Sequence, residues 1–100
     1  MAKGGFIYII TNKNNTTLYV GMTSDLITRI DQHKTKMYKK SFSHKYNLEK
    51  LVYYEAFDFI EEAIEREKQL KAGSRKKKVD LINKINPEWK DLYKDIITTW

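Results

Sequence analysis

Two short runs near the start of the chain do most to limit what it can fold into. Residues 6–11 read Phe-Ile-Tyr-Ile-Ile-Thr and residues 17–21 read Thr-Leu-Tyr-Val-Gly, with an asparagine-rich join between them. β-Branched and aromatic residues suit extended backbone, and asparagines suit turns, so the two runs predict an antiparallel hairpin. Its parity has a consequence. Side chains alternate across a strand, so any even loop keeps Tyr8 and Tyr19 on one face of the sheet, and an odd loop or a bulge separates them. A two-residue turn at Lys13-Asn14 would set the two tyrosines directly opposite each other.

The rest of the chain supplies what packs on that hairpin. After Gly21, residues 22–24 lead into a helix that Thr23 or Ser24 can cap, with Asp25 suited to its N-terminus and an end near Thr35. Leu26, Ile27 and Ile30 form its apolar stripe. Residues 36–46, basic and aromatic without a period, read as a loop. Residues 51–57 read as a third strand, residues 60–72 as a helix ending at Gly73, and residues 75–86 as a helix capped by Ser74. Pro87 suits the first turn of a last helix. The order β-β-α-β-α-α-α gives an α+β class, a small three-stranded antiparallel sheet flanked by helices, in one domain spanning residues 1–100.

Charge narrows the function classes. Nineteen lysines and arginines against thirteen acids leave a net charge of +6, which favours a polyanionic partner such as nucleic acid, although a basic surface also serves solubility. Lys39, Lys40, Arg75, Lys76 and Lys77 are the candidates to track a phosphate backbone. With no cysteine, disulfides, iron–sulfur clusters and thiolate zinc sites are excluded. No run reaches the ~18–20 apolar residues of a membrane span, so a cytoplasmic protein with no membrane partner is expected.

Among single residues, Glu67 is the most informative. Its helix is apolar at Ile60, Ala63, Ile64 and Leu70, and Glu67 falls on that stripe. A carboxylate turned inward is costly unless it is paired or binds a metal, so Glu67 is either a metal ligand or one half of an ion pair with Arg29 or a lysine. Arg29 and His33 are one turn apart on a helix face, suited to holding a phosphate and orienting water or simply solvated. Tyr8 and Tyr19 fit core packing as well as chemistry. Gly21 is either an ordinary turn glycine or a place where the backbone is closely approached.

Taken together, these residues resemble the GIY-YIG nuclease superfamily. Its first motif stands here as Phe6-Ile7-Tyr8 and its second as Tyr19-Val20-Gly21. The segment Asp25-Leu26-Ile27-Thr28-Arg29 looks like the family's arginine segment, with His33 a turn later. The segment Arg66-Glu67-Lys68-Gln69-Leu70-Lys71 is similar to the one carrying its metal-binding glutamate. The downstream Ser74-Arg75 and Asn86-Pro87-Glu88-Trp89-Lys90-Asp91-Leu92 resemble the small standalone (URI-like) branch. The resemblance implies a DNA endonuclease with one divalent cation, Mg2+ or Mn2+, on Glu67 and no small-molecule cofactor. It implies Tyr19 activating water, Tyr8 supporting it, Arg29 holding the phosphate, and His33 as a second phosphate contact or proton relay. A free phenol titrates near ~10, so the Tyr19 role asks for a cation close by. Three positions depart from the family pattern. Phe6 replaces a glycine, Met22 stands where many relatives have lysine, and the family's later asparagine could be Asn83 or Asn86.

Two other readings fit parts of the same sequence. One is a non-catalytic nucleic-acid-binding module on the same fold. The other is a protein-interaction domain using Phe57, Trp89, Tyr93 and Trp100 as a contact patch.

Overall fold

A computed structural model describes residues 4–35 and 45–100. Its elements are β1 (Gly5–Thr11), β2 (Leu18–Thr23), α1 (Leu26–Lys34), β3 (Lys50–Phe57), α2 (Ile60–Ala72), α3 (Arg75–Ile85) and α4 (Tyr93–Thr99). The order matches the α+β expectation. The strands form one antiparallel sheet ordered β2-β1-β3, so β1 is central and β2 is an edge strand.

Helices cover both faces. Ile7 and Ile9 of β1 pack with Val20, Val52, Ala63, Leu70 and Ile82, under α2 and α3. Tyr8 and Ile10 point the other way and pack with Leu26, Ile30, Leu51 and Ile96, under α1 and α4. A central strand buried on both faces reads as the unbroken apolar run seen at residues 7–10. The pairing of β1 with β3 jumps from Ile9↔Tyr53 to Ile10↔Leu51, leaving Val52 as a bulge residue. Val52 and Tyr53 consequently pack in the same cluster.

The hairpin keeps its predicted parity but not the shortest register. Tyr8 lies opposite Gly21, and Tyr19 opposite Ile10, so the tyrosines are diagonal neighbours on one face. The longer loop is built by side chains. Asn12 Oδ1 accepts from the backbone N–H of Thr16 (2.8 Å) and Thr17 (3.0 Å), Thr11 donates to the Thr17 carbonyl at 2.7 Å, and Asn15 takes a positive φ of 59°. Asparagine tolerates that conformation, and its carboxamide mimics a backbone acceptor.

Local caps set the helices. Asp25, rather than Thr23 or Ser24, caps α1, accepting from Thr28 N at 3.2 Å and from the Thr28 hydroxyl at 2.8 Å. Thr23 instead accepts the Asp25 N–H at 3.1 Å. Ser74 caps α3, as expected. On α2 the buried positions are Ala63 and Leu70, whereas Ile64 is exposed. The stripe is thus rotated from the one read in the sequence, and Glu67 lies at its margin. Adjacent helical residues diverge by about 100°. Arg66 is locked to β3 by a forked hydrogen bond to Glu55 (3.0 Å from both Nε and Nη2), and Glu67 is thereby turned toward the β2 side.

The expected helix start at Pro87 is overturned. Residues 86–92 are irregular, with a turn at 87–88 and Trp89 at a positive φ of 55°, and α4 begins only at Tyr93. Side chains outcompete the helix here. Buried Asn86 donates through Nδ2 to the carbonyls of Val52 (3.0 Å) and Lys90 (2.9 Å) and accepts from Lys90 N (3.1 Å). Asp91 accepts from Leu51 N at 3.2 Å and pairs with Lys34. The supposed aromatic patch is also divided. Phe57 and Trp89 pack under α2 and α3, Tyr93 packs on the opposite face, and Trp100 stacks on Phe6 with ring centroids 5.5 Å apart.

Candidate active site

The site lies at the edge strand β2, and a missing side chain makes this possible. A Cβ on Gly21 would lie 2.2 Å from Cζ and 2.3 Å from the hydroxyl oxygen of Tyr8. The Tyr8 ring therefore lies across Gly21, and its hydroxyl comes out toward the edge strand. Gly21 has negative φ, so space and not backbone conformation is what the glycine supplies.

The Tyr8 hydroxyl lies 2.9 Å from Nε2 of His33, a buried hydrogen bond. Tyr19, two residues before Gly21 on the same face, sets its ring edge-on to His33 with centroids 6.1 Å apart. Arg29 is one turn before His33 on α1, and its charge acts on both His33 and Tyr8. Glu67 reaches the same place from α2, close enough to act on the Tyr8 phenol. Lys71 follows one turn later. Its ammonium is 3.4 Å from Glu67 Oε2 and 5.9 Å from the centroid of the Tyr19 ring.

Burial decides the protonation states. Tyr8 is pushed well above the ordinary phenol range, first by burial and then by the Tyr19 phenol, with Glu67 adding to the shift and Arg29 opposing it. It stays protonated. His33 is lowered to about 4, first by burial and then by the Arg29 charge, so its ring is neutral at pH 7. A neutral imidazole protonated on Nδ1 accepts a hydrogen bond at Nε2 from the Tyr8 hydroxyl.

Tyr8, Tyr19, Arg29, His33 and Glu67 thus come together from two strands and two helices. A family model for the GIY-YIG catalytic domain matches residues 4–86, which include all five of these residues. The chain belongs to the GIY-YIG family. It is 34% identical over 83 residues to a UPF0213 protein of Syntrophus aciditrophicus, covering 83% of this chain and 93% of that one. It is 37% identical over 78 residues to a UPF0213 protein of Staphylococcus saprophyticus, covering 78% and 93%. The solution NMR structure of a UPF0213 protein from Bacillus halodurans has the same fold, with a TM-score of 0.55, 28% identity, and coverage of 88% of this chain and 92% of that one.

Within the GIY-YIG frame the departures acquire reasons. Phe6 stacks on Trp100, and Met22 packs under α2 and α3, so both serve packing. Asn86 ties the end of α3 to β3 and is a structural residue here, whereas exposed Asn83 accepts the indole N–H of Trp89 at 2.6 Å. The basic candidates lie elsewhere. Arg75 donates to the carbonyls of Asn15 (3.0 Å) and Thr16 (3.2 Å), holding the hairpin loop. Lys76 pairs with Asp80 at 2.9 Å. Lys77 lines a hollow between α2 and α3. Lys39 and Lys40 lie outside the described residues. Lys71 is the site residue that sequence reasoning passed over; its spacing of four from Glu67 was the available signal.

The donor set bears on a metal. Among the described residues no three His, Cys, Asp or Glu side chains gather as a ligand cage. Glu67 is a single carboxylate, 22% exposed, with one cation already against it. That fits a hard, largely hydrated divalent ion held by one protein carboxylate and not a tightly caged one.

Proposed function

We propose that this chain is a divalent-metal-dependent endonuclease that hydrolyses phosphodiester bonds in DNA. The observation that carries this reading is the convergence on the Tyr8 phenol. A second phenol, a guanidinium and a carboxylate from three other elements all act on it, and a neutral imidazole bonds it. A binding module has no use for a half-buried carboxylate beside the Tyr8 phenol, since it would repel a phosphate.

The chemistry follows from the protonation states. As a phenolate, Tyr19 takes a proton from the attacking water as the new P–O bond forms and the bond to the leaving nucleotide breaks, the leaving oxygen taking its proton from solvent. Arg29 holds the phosphate through its planar fork as negative charge builds on it. Tyr8, held protonated by burial, donates a hydrogen bond and is not the base. His33, held neutral, orients Tyr8. Glu67 would hold Mg2+ or Mn2+, which when bound stabilises charge on the scissile phosphate and the leaving oxygen.

Purified wild type and Glu67→Gln, incubated with single-stranded, duplex and branched DNA in Mn2+, Mg2+ or chelator, test the reading. Cleavage by wild type alone, and only with metal, supports it. DNA bound but uncut under every condition replaces it with the non-catalytic binding module.

A further inference from the structure

A shallow opening of about 300 Å3 lies against the mouth of the site, lined by Leu18, Tyr19, Val20, Lys71 and Lys78. Lys71 comes from α2 and Lys78 from α3. Lys78 also lines a second hollow, of about 490 Å3, between those two helices, where Lys77 and Lys84 join it. The two hollows share Lys78, so lysine side chains line both of them, from the Tyr19 ring to α3.

These charges are largely uncompensated. Among the described residues Lys77, Lys78 and Lys84 form no ion pair. Lys78 donates to the neutral Gly73 carbonyl at 2.9 Å, which fixes the ammonium without cancelling its charge. Lys71 faces Glu67 at 3.4 Å and is 52% exposed. The other charged groups along the second hollow are already engaged. Arg66 is forked on Glu55, and Asp80 pairs with Lys76. Lysines so placed act as point charges with no planar pattern for reading bases, which suits a phosphate backbone.

We propose that Lys71 and Lys78 hold the backbone phosphates beside the scissile one, and that the nucleic-acid strand leaves the site through the α2–α3 hollow past Lys77 and Lys84. The position of the scissile bond rests on the nuclease reading above; the phosphate track itself does not.

The test is equilibrium binding in chelator, read by fluorescence anisotropy. Labelled single-stranded and duplex DNA, and RNA of the same sequence, are titrated from ~25 to ~200 mM salt. Wild type is compared with Lys71→Gln, Lys78→Gln, Lys78→Arg and, on the opposite face of the sheet, Lys94→Gln. Each lost phosphate contact lowers the slope of log K against log salt by about 0.7–0.9. Lys71→Gln and Lys78→Gln are each expected to show that drop, with binding weakened about 3- to 10-fold at low salt. Lys78→Arg and Lys94→Gln keep the wild-type slope. The DNA and RNA arms tell which backbone the track prefers. Wild-type slopes in both glutamine variants overturn the proposal, as does an equal drop in Lys94→Gln, or a wild type that binds no polynucleotide. Should Lys78→Gln fail to fold without its bond to Gly73, the exposed Lys71→Gln decides. Adding Mn2+ separates the two readings. Cleavage with slopes insensitive to the lysines removes the track and keeps the nuclease, and uncut DNA with lowered slopes does the reverse.

Discussion

Tyr8 and Gly21 face each other across the β1–β2 ladder, and the Tyr8 ring occupies the space a side chain at Gly21 would fill. The Tyr8 side chain is buried and bonded to His33, so it has little freedom to move aside. Gly21→Ala is expected to cost about 1–3 kcal/mol through overpacking and to lower Tm by several degrees. It should also displace the hydroxyl and lower metal-dependent cleavage. Thermal melting checks the first effect, and an unchanged Tm would show that the ring does not lie where described.

The neutral His33 gives stability a pH dependence. Tyr8, Tyr19 and Arg29 surround it, and its folded pKa of about 4 lies below the ordinary value of 6.5. The unfolded chain therefore binds a proton that the folded chain refuses. Stability from this group is intact above pH 6.5 and falls as pH drops toward 4, by less than about 3 kcal/mol in total because solvent still screens the ring. Urea melts from pH 7.5 to 4.5 should show wild type losing more stability than His33→Gln. Parallel losses in the two proteins would contradict the buried neutral state.

Glu67→Gln separates chemistry from folding. Its visible partner is Lys71 on the same helix, a pair worth about 0.3–0.5 kcal/mol at most surface sites. Stability should therefore change by less than about 1 kcal/mol, while cleavage falls a hundredfold or more, to the order expected when a transition-state charge loses its support. A large drop in Tm with proportionate loss of DNA binding would make Glu67 a structural residue.

Asn86→Ala should behave in the opposite way. Three hydrogen bonds tie Asn86 to Val52 and Lys90, and removing the carboxamide leaves the buried Val52 carbonyl without its partner. The expected cost is about 1–3 kcal/mol, with cleavage per folded molecule unchanged well below Tm. A cleavage defect without destabilisation would move Asn86 into the site.

The sequence by itself determined the element order and the one-turn spacings of Arg29 with His33 and Glu67 with Lys71. All of these are local: alternation along a strand and 3.6 residues per helical turn hold whatever the rest of the chain does. The tertiary structure decided the rest. Strand order β2-β1-β3 left β2 at the edge, and the six-residue join (residues 12–17), even in length, put Tyr8 and Tyr19 on one face and set Tyr8 against Gly21. The fork of Arg66 on Glu55 turned Glu67 toward the tyrosines, and Asn86 and Asp91 stitched residues 86–92 to β3 where Pro87 had suggested a helix. Each of these depends on hydrogen bonds and packing between residues far apart in the chain, and neither periodicity nor propensity carries information about such partners.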